Sequence, residues 1–382
     1  MIKINLLEDC CGCTACESVC NQNAIKMTPD TLGFLYPKVD ESKCTDCGLC
    51  EKVCAFNDTY DISHLNIDTR CFAARLKDVN MLRFSRSGGV FVALSDIILN
   101  SGGVVYGAGY AQHFVVVHKR ATTQIERNEF RGSKYVQSDM RGVFQQVKED
   151  LRNGRTVLFS GTPCQTAGLS SYIGKRLRNN LILVDIICHA VPSPYIWRDY
   201  LAYMEEKYKS KVIKIEFRDK SIGWCQPHLE SFFMENGETH KDFLLRHLFY
   251  EGLCTRPSCS ECHYTNLNRP SDITIGDYWG FEKTVPEMNR DNKGVSIVLC
   301  NTSKGLGLFN QCKEKLIVTE VSKTDAMQHN LHSPSPIHRS HVRFAEDYKN
   351  KGFLYIAKKY GNWGIRYKID YTIKRIKSKF KL

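Results

Sequence analysis

The sequence predicts an α+β head followed by a larger mixed α/β lobe with added antiparallel strands. Three observations predict it. One cysteine spacing is written twice within the first 54 residues. Apolar, strand-sized runs alternate with helical patterns from about residue 151. Beyond residue 212, apolar and polar residues alternate singly before an Asn-Gly turn.

Cys10, Cys13, Cys16 and Cys20 read C-x2-C-x2-C-x3-C, and Cys44, Cys47, Cys50 and Cys54 repeat it. This run wraps [4Fe–4S] clusters in bacterial-type ferredoxins: three thiolates in one turn cap a cubane, and the fourth ligates the other cluster. The spacing assigns Cys10, Cys13, Cys16 and Cys54 to one cluster and Cys44, Cys47, Cys50 and Cys20 to the second. Each fourth cysteine is expected to start a helix. Zinc sites use two C-x2-C pairs and have no use for a third cysteine at the same interval. Disulfides would need an oxidising compartment. Asn21 and Ala55 stand where proline usually follows the fourth cysteine, which loosens a turn and removes no ligand. Ile25-Lys26-Met27 and Phe34-Leu35-Tyr36 flank turn-forming residues 29–33 and predict a hairpin over the clusters. The dicluster domain is expected over 1–58 and a polar linker over 59–69.

A first lobe segment is expected over 70–150. Ser85-Arg86-Ser87-Gly88-Gly89 feeds a helix through Phe91, Leu94, Ile97 and Ile98. Such a loop is either a phosphate cradle on a helix N-terminus or an N-cap turn with no ligand. Residues 104–109 and 114–117 predict paired strands. Met140, Val143, Phe144, Val147 and Leu151 share a helical face, with Ser138 as N-cap.

A second segment is expected over 151–345. Residues 156–160 and 181–187 predict buried strands, each followed by a helix, and that order implies a parallel sheet covered on both faces. Cys164 and Cys188 then fall just past strand carboxyl ends, where open α/β sheets place their chemistry. Ile213, Ile215 and Phe217 alternate with charged residues, and Leu229, Ser231 and Phe233 alternate before Asn236-Gly237, so antiparallel strands are added. Cys259 and Cys262 form an isolated C-x2-C that needs two more ligands. Cys164 and Cys188 are the expected partners, in a third iron–sulfur cluster. Cys254 is a rival ligand, and a zinc knuckle or plain buried thiols are the alternatives.

Cubanes pass single electrons whereas most metabolic reductants exchange pairs, so a flavin is expected between the head and a substrate pocket. No G-x-G-x-x-G fingerprint is present, and residues 168–175 miss a P-loop by one residue.

The net charge of +12 is a local feature. Residues 349–382 hold eleven Lys or Arg against one acid, leaving 42 basic against 40 acidic residues elsewhere. A nucleic-acid-binding body is therefore not expected. Segment 346–382 reads as a basic amphipathic tail, with Ile365, Ile369, Ile373, Ile376 and Phe380 as its stripe. It could lie on an anionic membrane, dock on an acidic partner, or pack on its own domain. Eighteen cysteines and no charged-then-apolar leader point to the cytoplasm, with the tail able to reach the inner membrane face.

Several stretches resemble the coenzyme F420 hydrogenase/dehydrogenase beta-subunit family, in members with a dicluster ferredoxin module in front. They are Ser85-Arg86-Ser87-Gly88-Gly89, Arg131-Gly132-Ser133-Lys134-Tyr135-Val136-Gln137, Gly161-Thr162-Pro163-Cys164-Gln165, Asp185-Ile186-Ile187-Cys188-His189 and residues 269–277. The resemblance covers about residues 71–283. It implies an FAD-bearing lobe, an iron–sulfur site, and redox exchange between a deazaflavin coenzyme and one-electron carriers such as a ferredoxin or another oxidoreductase subunit. In some members it implies a setting in surface-polysaccharide biosynthesis. It also implies that Ser85, Ser87, Gly88 and Gly89 touch FAD. Lys134 and Gln137 would lie near the isoalloxazine, Lys134 as the catalytic cation that stabilises the reduced ring. Arg131 stands where the family more often has Lys. The alternative is an electron-transfer adaptor with no substrate of its own.

Overall fold

The computed structural model describes residues 1–57, 68–226, 228–364 and 367. Residues 58–67, which hold most of the linker expected over 59–69, lie outside them, as do the stripe residues Ile365, Ile369, Ile373, Ile376 and Phe380.

In the head, β1 (Ile25–Pro29) and β2 (Leu35–Val39) form the expected antiparallel hairpin. The Asp30 carboxylate fixes its turn by accepting from the Leu32 and Phe34 amides at 2.9 and 2.8 Å. Gly33 takes φ +84°, and a Cβ there would stand 2.6 Å from the Tyr195 ring of the lobe. Two short helices, Ala15–Val19 and Leu49–Lys52, enclose the third cysteines Cys16 and Cys50. Cys20 and Cys54 follow these helices, so each fourth cysteine comes after a helix rather than starting one. The cause is local. Thr14 and Gly48, at φ +70° and +71°, turn the chain into a helix immediately after the second cysteine of each run.

The lobe is built on one eight-stranded sheet. Its strands are β3 (Arg70–Leu76), β4 (Val104–Tyr110), β5 (Val116–Ala121), β6 (Val157–Gly161) and β7 (Leu181–Ile186), then β11 (Ile273–Asp277), β12 (Ser296–Cys300) and β13 (Leu316–Val321). A separate three-stranded antiparallel sheet holds β8 (Val212–Glu216), β9 (Glu230–Met234) and β10 (Thr239–Asp242). The large sheet runs β13-β3-β12-β11-β7-β6-β4-β5. Its centre, β4-β6-β7-β11, is parallel, and both flanks are antiparallel. The boundary expected at residue 150 falls inside this sheet, which takes strands from both sides of it.

The central strands are buried on both faces, as parallel strands must be. Ile182 and Val184 pack with helices Val90–Asn100 and Ser303–Cys312. Leu181 and Leu183 face the other way, toward helices Val143–Arg152 and Pro163–Leu177. Cys11, Cys13 and Ala15 belong to that second core, so the head is seated on the lobe. Among the described residues no helix is long and apolar enough to cross a membrane.

Two local expectations are corrected. Helix Val143–Arg152 is entered through Gly142 at φ +77°, not through Ser138. A bulge between Val212 and Lys214 shifts the alternation in β8, leaving Ile213 61% exposed.

Candidate redox site

The parallel strands β6, β7 and β11 end at one edge of the sheet, where a cavity of about 280 Å³ opens. Ser85, Ser87, Gly89 and Lys134 line it, with apolar cover from Phe91, Phe130, Ile187 and Ile275. Gly89, at φ +78°, is the N-cap of helix Val90–Asn100, and no side chain caps that helix. Its first amides therefore meet the cavity as an anion-accepting end. Ser87 Oγ donates to the Val295 carbonyl at 2.6 Å and Ser85 Oγ to the Met81 carbonyl at 3.3 Å.

Two expected flavin contacts lie elsewhere. Gly88 does not line the cavity: its amide donates to Ser296 Oγ at 2.9 Å, and a Cβ would stand 2.1 Å from the Ala74 carbonyl oxygen. Packing against the sheet is what requires a glycine there. Gln137 also faces away. Its Nε2 donates to the Cys11 carbonyl at 3.0 Å and its Oε1 accepts from Arg256 Nη1 at 3.0 Å.

Lys134 Nζ donates to the carbonyls of Glu129, Arg131 and Gly132 at 2.6, 3.2 and 3.4 Å. Burial lowers its pKa to about 7. His118 is a wall residue that sequence reasoning missed. Ser138 Oγ lies 2.8 Å from its Nδ1, the Ser160 carbonyl 2.9 Å from its Nε2, and Gln165 Nε2 donates to Ser138 Oγ at 2.9 Å. A single histidine in a strand carries no sequence signal that separates it from any other half-polar strand residue.

The sulfur atoms form two groupings near this cavity. Cys164 lies in the first turn after β6, and Cys188 lies two residues past β7. Burial, together with the neighbouring Cys259, Cys164 and Cys262, raises the Cys188 thiol. Burial and Cys164 push Cys259 up to about 12 and Cys262 up to about 11. All four line a cleft of about 30 Å³ that Cys11 and Arg256 also border. The rival Cys254 packs instead in the apolar core with Leu244, Leu248 and Trp197.

In the head, burial and then Cys13, Cys10 and Cys54 raise the Cys16 thiol, which brings together the four cysteines that the spacing assigns to one cluster. Cys20 and Cys50 pack with Ile2, Ile25 and Met27, while Cys47 is exposed and Cys44 half-buried. The Ile2 amide donates to Cys50 Sγ at 3.2 Å and the Ala24 amide to Cys20 Sγ at 3.3 Å. Amides directed at sulfur are the contacts that tune an iron–sulfur cluster. Among the described residues no three His, Cys, Asp or Glu side chains close on a site for a single metal ion.

Cys11 joins the two groupings. It is buried in one core with Cys13 and Cys164 and borders the four-cysteine cleft. Cys188 and His189 are walls of both the four-cysteine cleft and the large cavity. The arrangement reads head sulfurs, Cys11, lobe sulfurs, cavity. Arg256 is the other missed residue. It lies 1% exposed between Cys10 and the cleft, where its only sequence signal is proximity to Cys259.

Comparisons with known proteins bear on both halves. Residues 154–326 match the family described as the C terminus of the coenzyme F420 hydrogenase/dehydrogenase beta subunit. Residues 9–57 match the 4Fe-4S dicluster domain. Among solved structures, a chain from the F420-reducing [NiFe] hydrogenase complex of Methanosarcina barkeri is similar at 17% identity with a TM-score of 0.48, over 79% of this chain and 94% of that one. No curated protein matches the chain.

Proposed function

Residues 154–326 belong to the C-terminal family of coenzyme F420 hydrogenase/dehydrogenase beta subunits and residues 9–57 to the 4Fe-4S dicluster family, and from that premise we propose an iron–sulfur flavoprotein oxidoreductase. It couples hydride exchange in the large cavity to one-electron transfer through [4Fe–4S] clusters. The observation that carries this reading is the shared wall: Cys188 and His189 border both the cavity and the four-cysteine cleft.

Bound FAD would supply the conversion of one hydride into two separate electrons. The chain's own residues fit it. The uncapped helix Val90–Asn100 offers amides and its positive dipole end to a phosphate. Ser85, Ser87 and Gly89 form the turn at that end. Phe91, Phe130, Ile187 and Ile275 exclude water, and Lys134 holds a proton beside a region where negative charge would develop. Cys10, Cys13, Cys16 and Cys54, and Cys44, Cys47, Cys50 and Cys20, would hold two clusters. Cys164, Cys188, Cys259 and Cys262 offer the thiol set of a third.

Anaerobic reconstitution tests the whole reading. We expect about one FAD per chain, the one converter the coupling needs, and about twelve irons, as three cubanes require. About eight irons would leave the lobe cysteines empty, and absence of flavin would overturn the proposal. A screen of the deazaflavin coenzyme, nicotinamides and intermediates of surface-polysaccharide biosynthesis, read at the flavin band, then identifies the partner. Cluster reduction by one such donor without another protein would exclude a pure adaptor role.

A further inference from the structure

Arg86 and Arg218 share one carboxylate, that of Asp277. Arg218 Nη1 donates to Asp277 Oδ2 at 2.9 Å, and Arg86 Nη2 reaches the same oxygen at 3.5 Å. Trp224 Nε1 occupies Asp277 Oδ1 at 3.1 Å. Lys220 adds a third cation, and among the described residues its Nζ is bound only by the carbonyls of Ser85 and Leu82, at 2.9 and 3.3 Å. The two arginine side chains are 12% and 10% exposed, and neither Nε–H has an acceptor among the described residues. Buried cations with unfilled donors are costly unless an anion completes them.

Of these cations, Arg86 lies in the cavity wall. Arg86, Asp277 and Tyr135 line the cavity. Arg218 stands behind them, its guanidinium 5.4 Å from the Trp279 ring centroid. Three cations against one carboxylate leave two positive charges uncompensated. A phosphate monoester carries roughly two negative charges near neutral pH, and the guanidinium fork matches phosphate geometry in a way a lone ammonium does not.

We propose that Arg86, Arg218 and Lys220 form an anion subsite that holds a phosphate group of the hydride-exchanging substrate. This deepens the flavin reading of the cavity and rests on it. Because Arg86 lies inside the Ser85–Gly89 turn, the same chemistry could be met by the diphosphate of FAD, so the test must separate the two sources.

The full chain, with its clusters reconstituted, is titrated with inorganic pyrophosphate by calorimetry, with and without FAD loaded. Binding should persist in the FAD-loaded protein. Arg86→Gln and Arg218→Gln should each weaken it by about tenfold or more, as expected for lost hydrogen bonds to a charged group. Iron and flavin content should stay unchanged, which establishes that the variants fold. Arg218→Lys, which keeps the charge and loses the fork, should fall between. Binding confined to the flavin-free protein would assign the site to FAD itself and overturn the proposal, as would equal binding by wild type and both glutamine variants. Should the chain take up no FAD, the flavin reading fails by itself, and the flavin-free titration of the variants alone decides whether the anion subsite stands.

Discussion

Arg256 Nε donates to the Cys10 carbonyl at 2.8 Å, so one buried side chain of the lobe grips the backbone of the head at its first cysteine. The same guanidinium donates from Nη2 to the Leu35 carbonyl at 3.0 Å and from Nη1 to Gln137 Oε1 at 3.0 Å. It also lies 4.3 Å from the centroid of the Tyr36 ring. Gly12 makes room for it: a Cβ there would come within 2.7 Å of Nη1. Head and lobe are thus held in register beside the sulfur path through Cys11.

Arg256→Met should therefore uncouple the two parts. It strands three acceptors, each costing about 1–3 kcal/mol when left buried and unpaired. Anaerobic chemical denaturation should show a loss of several kcal/mol, and cluster reduction from the flavin side should slow. Arg256→Lys keeps the charge without the fork and should recover only part of either. A loss under about 0.5 kcal/mol, the range of ordinary surface substitutions, would mean that other contacts hold the head.

What could be read in the sequence follows how local each feature is. The twin cysteine runs and the hairpin between them are set by spacing within a few residues, and Asp30 and Gly33 complete the turn locally. Cys164 and Cys188 were legible because strand-sized apolar runs mark where strands end. Gln137 was not, since its partners Cys11 and Arg256 come from distant segments. Gly88 was visible as a glycine, but its cause, the Ala74 carbonyl on β3, was not. The sharing of Asp277 by Arg86 and Arg218 brings together three segments far apart in the chain.

His118 predicts an acid sensitivity. Burial lowers its pKa to about 4, against an ordinary 6.5. Between those values the unfolded chain binds more protons than the folded one, so stability rises with pH across that window and is lost on acidification. Replacing His118 with Gln should flatten part of the stability change between pH 4.5 and 7. Parallel wild-type and variant curves from denaturant titrations would show that His118 does not titrate this way.

Lys134 predicts a pH dependence of flavin affinity. With its folded pKa lowered to about 7 by burial, the free protein holds a largely neutral amine above that pH. An anionic ligand beside it favours the protonated form, so binding takes up a proton and weakens as pH rises through about 7. Fluorescence titration of FAD from pH 6 to 9 should show this slope in the wild type and lose it in Lys134→Gln. The same slope in both would place the anionic part of the ligand away from Lys134.

Gly168 tests the seating of the head most directly. It lies inside helix Pro163–Leu177, where a methyl would normally favour the helix by about 1 kcal/mol. Here a Cβ would stand 2.7 Å from Cys13 Sγ and 2.9 Å from Cys13 Cβ. Overpacking of a filled core costs about 1–3 kcal/mol, so the clash should outweigh the helical gain. Cys13 is also a proposed ligand, which leaves the contact little freedom to relax by moving the sulfur. We expect Gly168→Ala to lower the melting temperature and to reduce iron by up to about four per chain, one cubane's worth. Limited proteolysis should meanwhile cut more readily between head and lobe. A variant that melts higher than wild type with its full iron content would show that the helix and the first cysteine run are not in contact in the loaded protein.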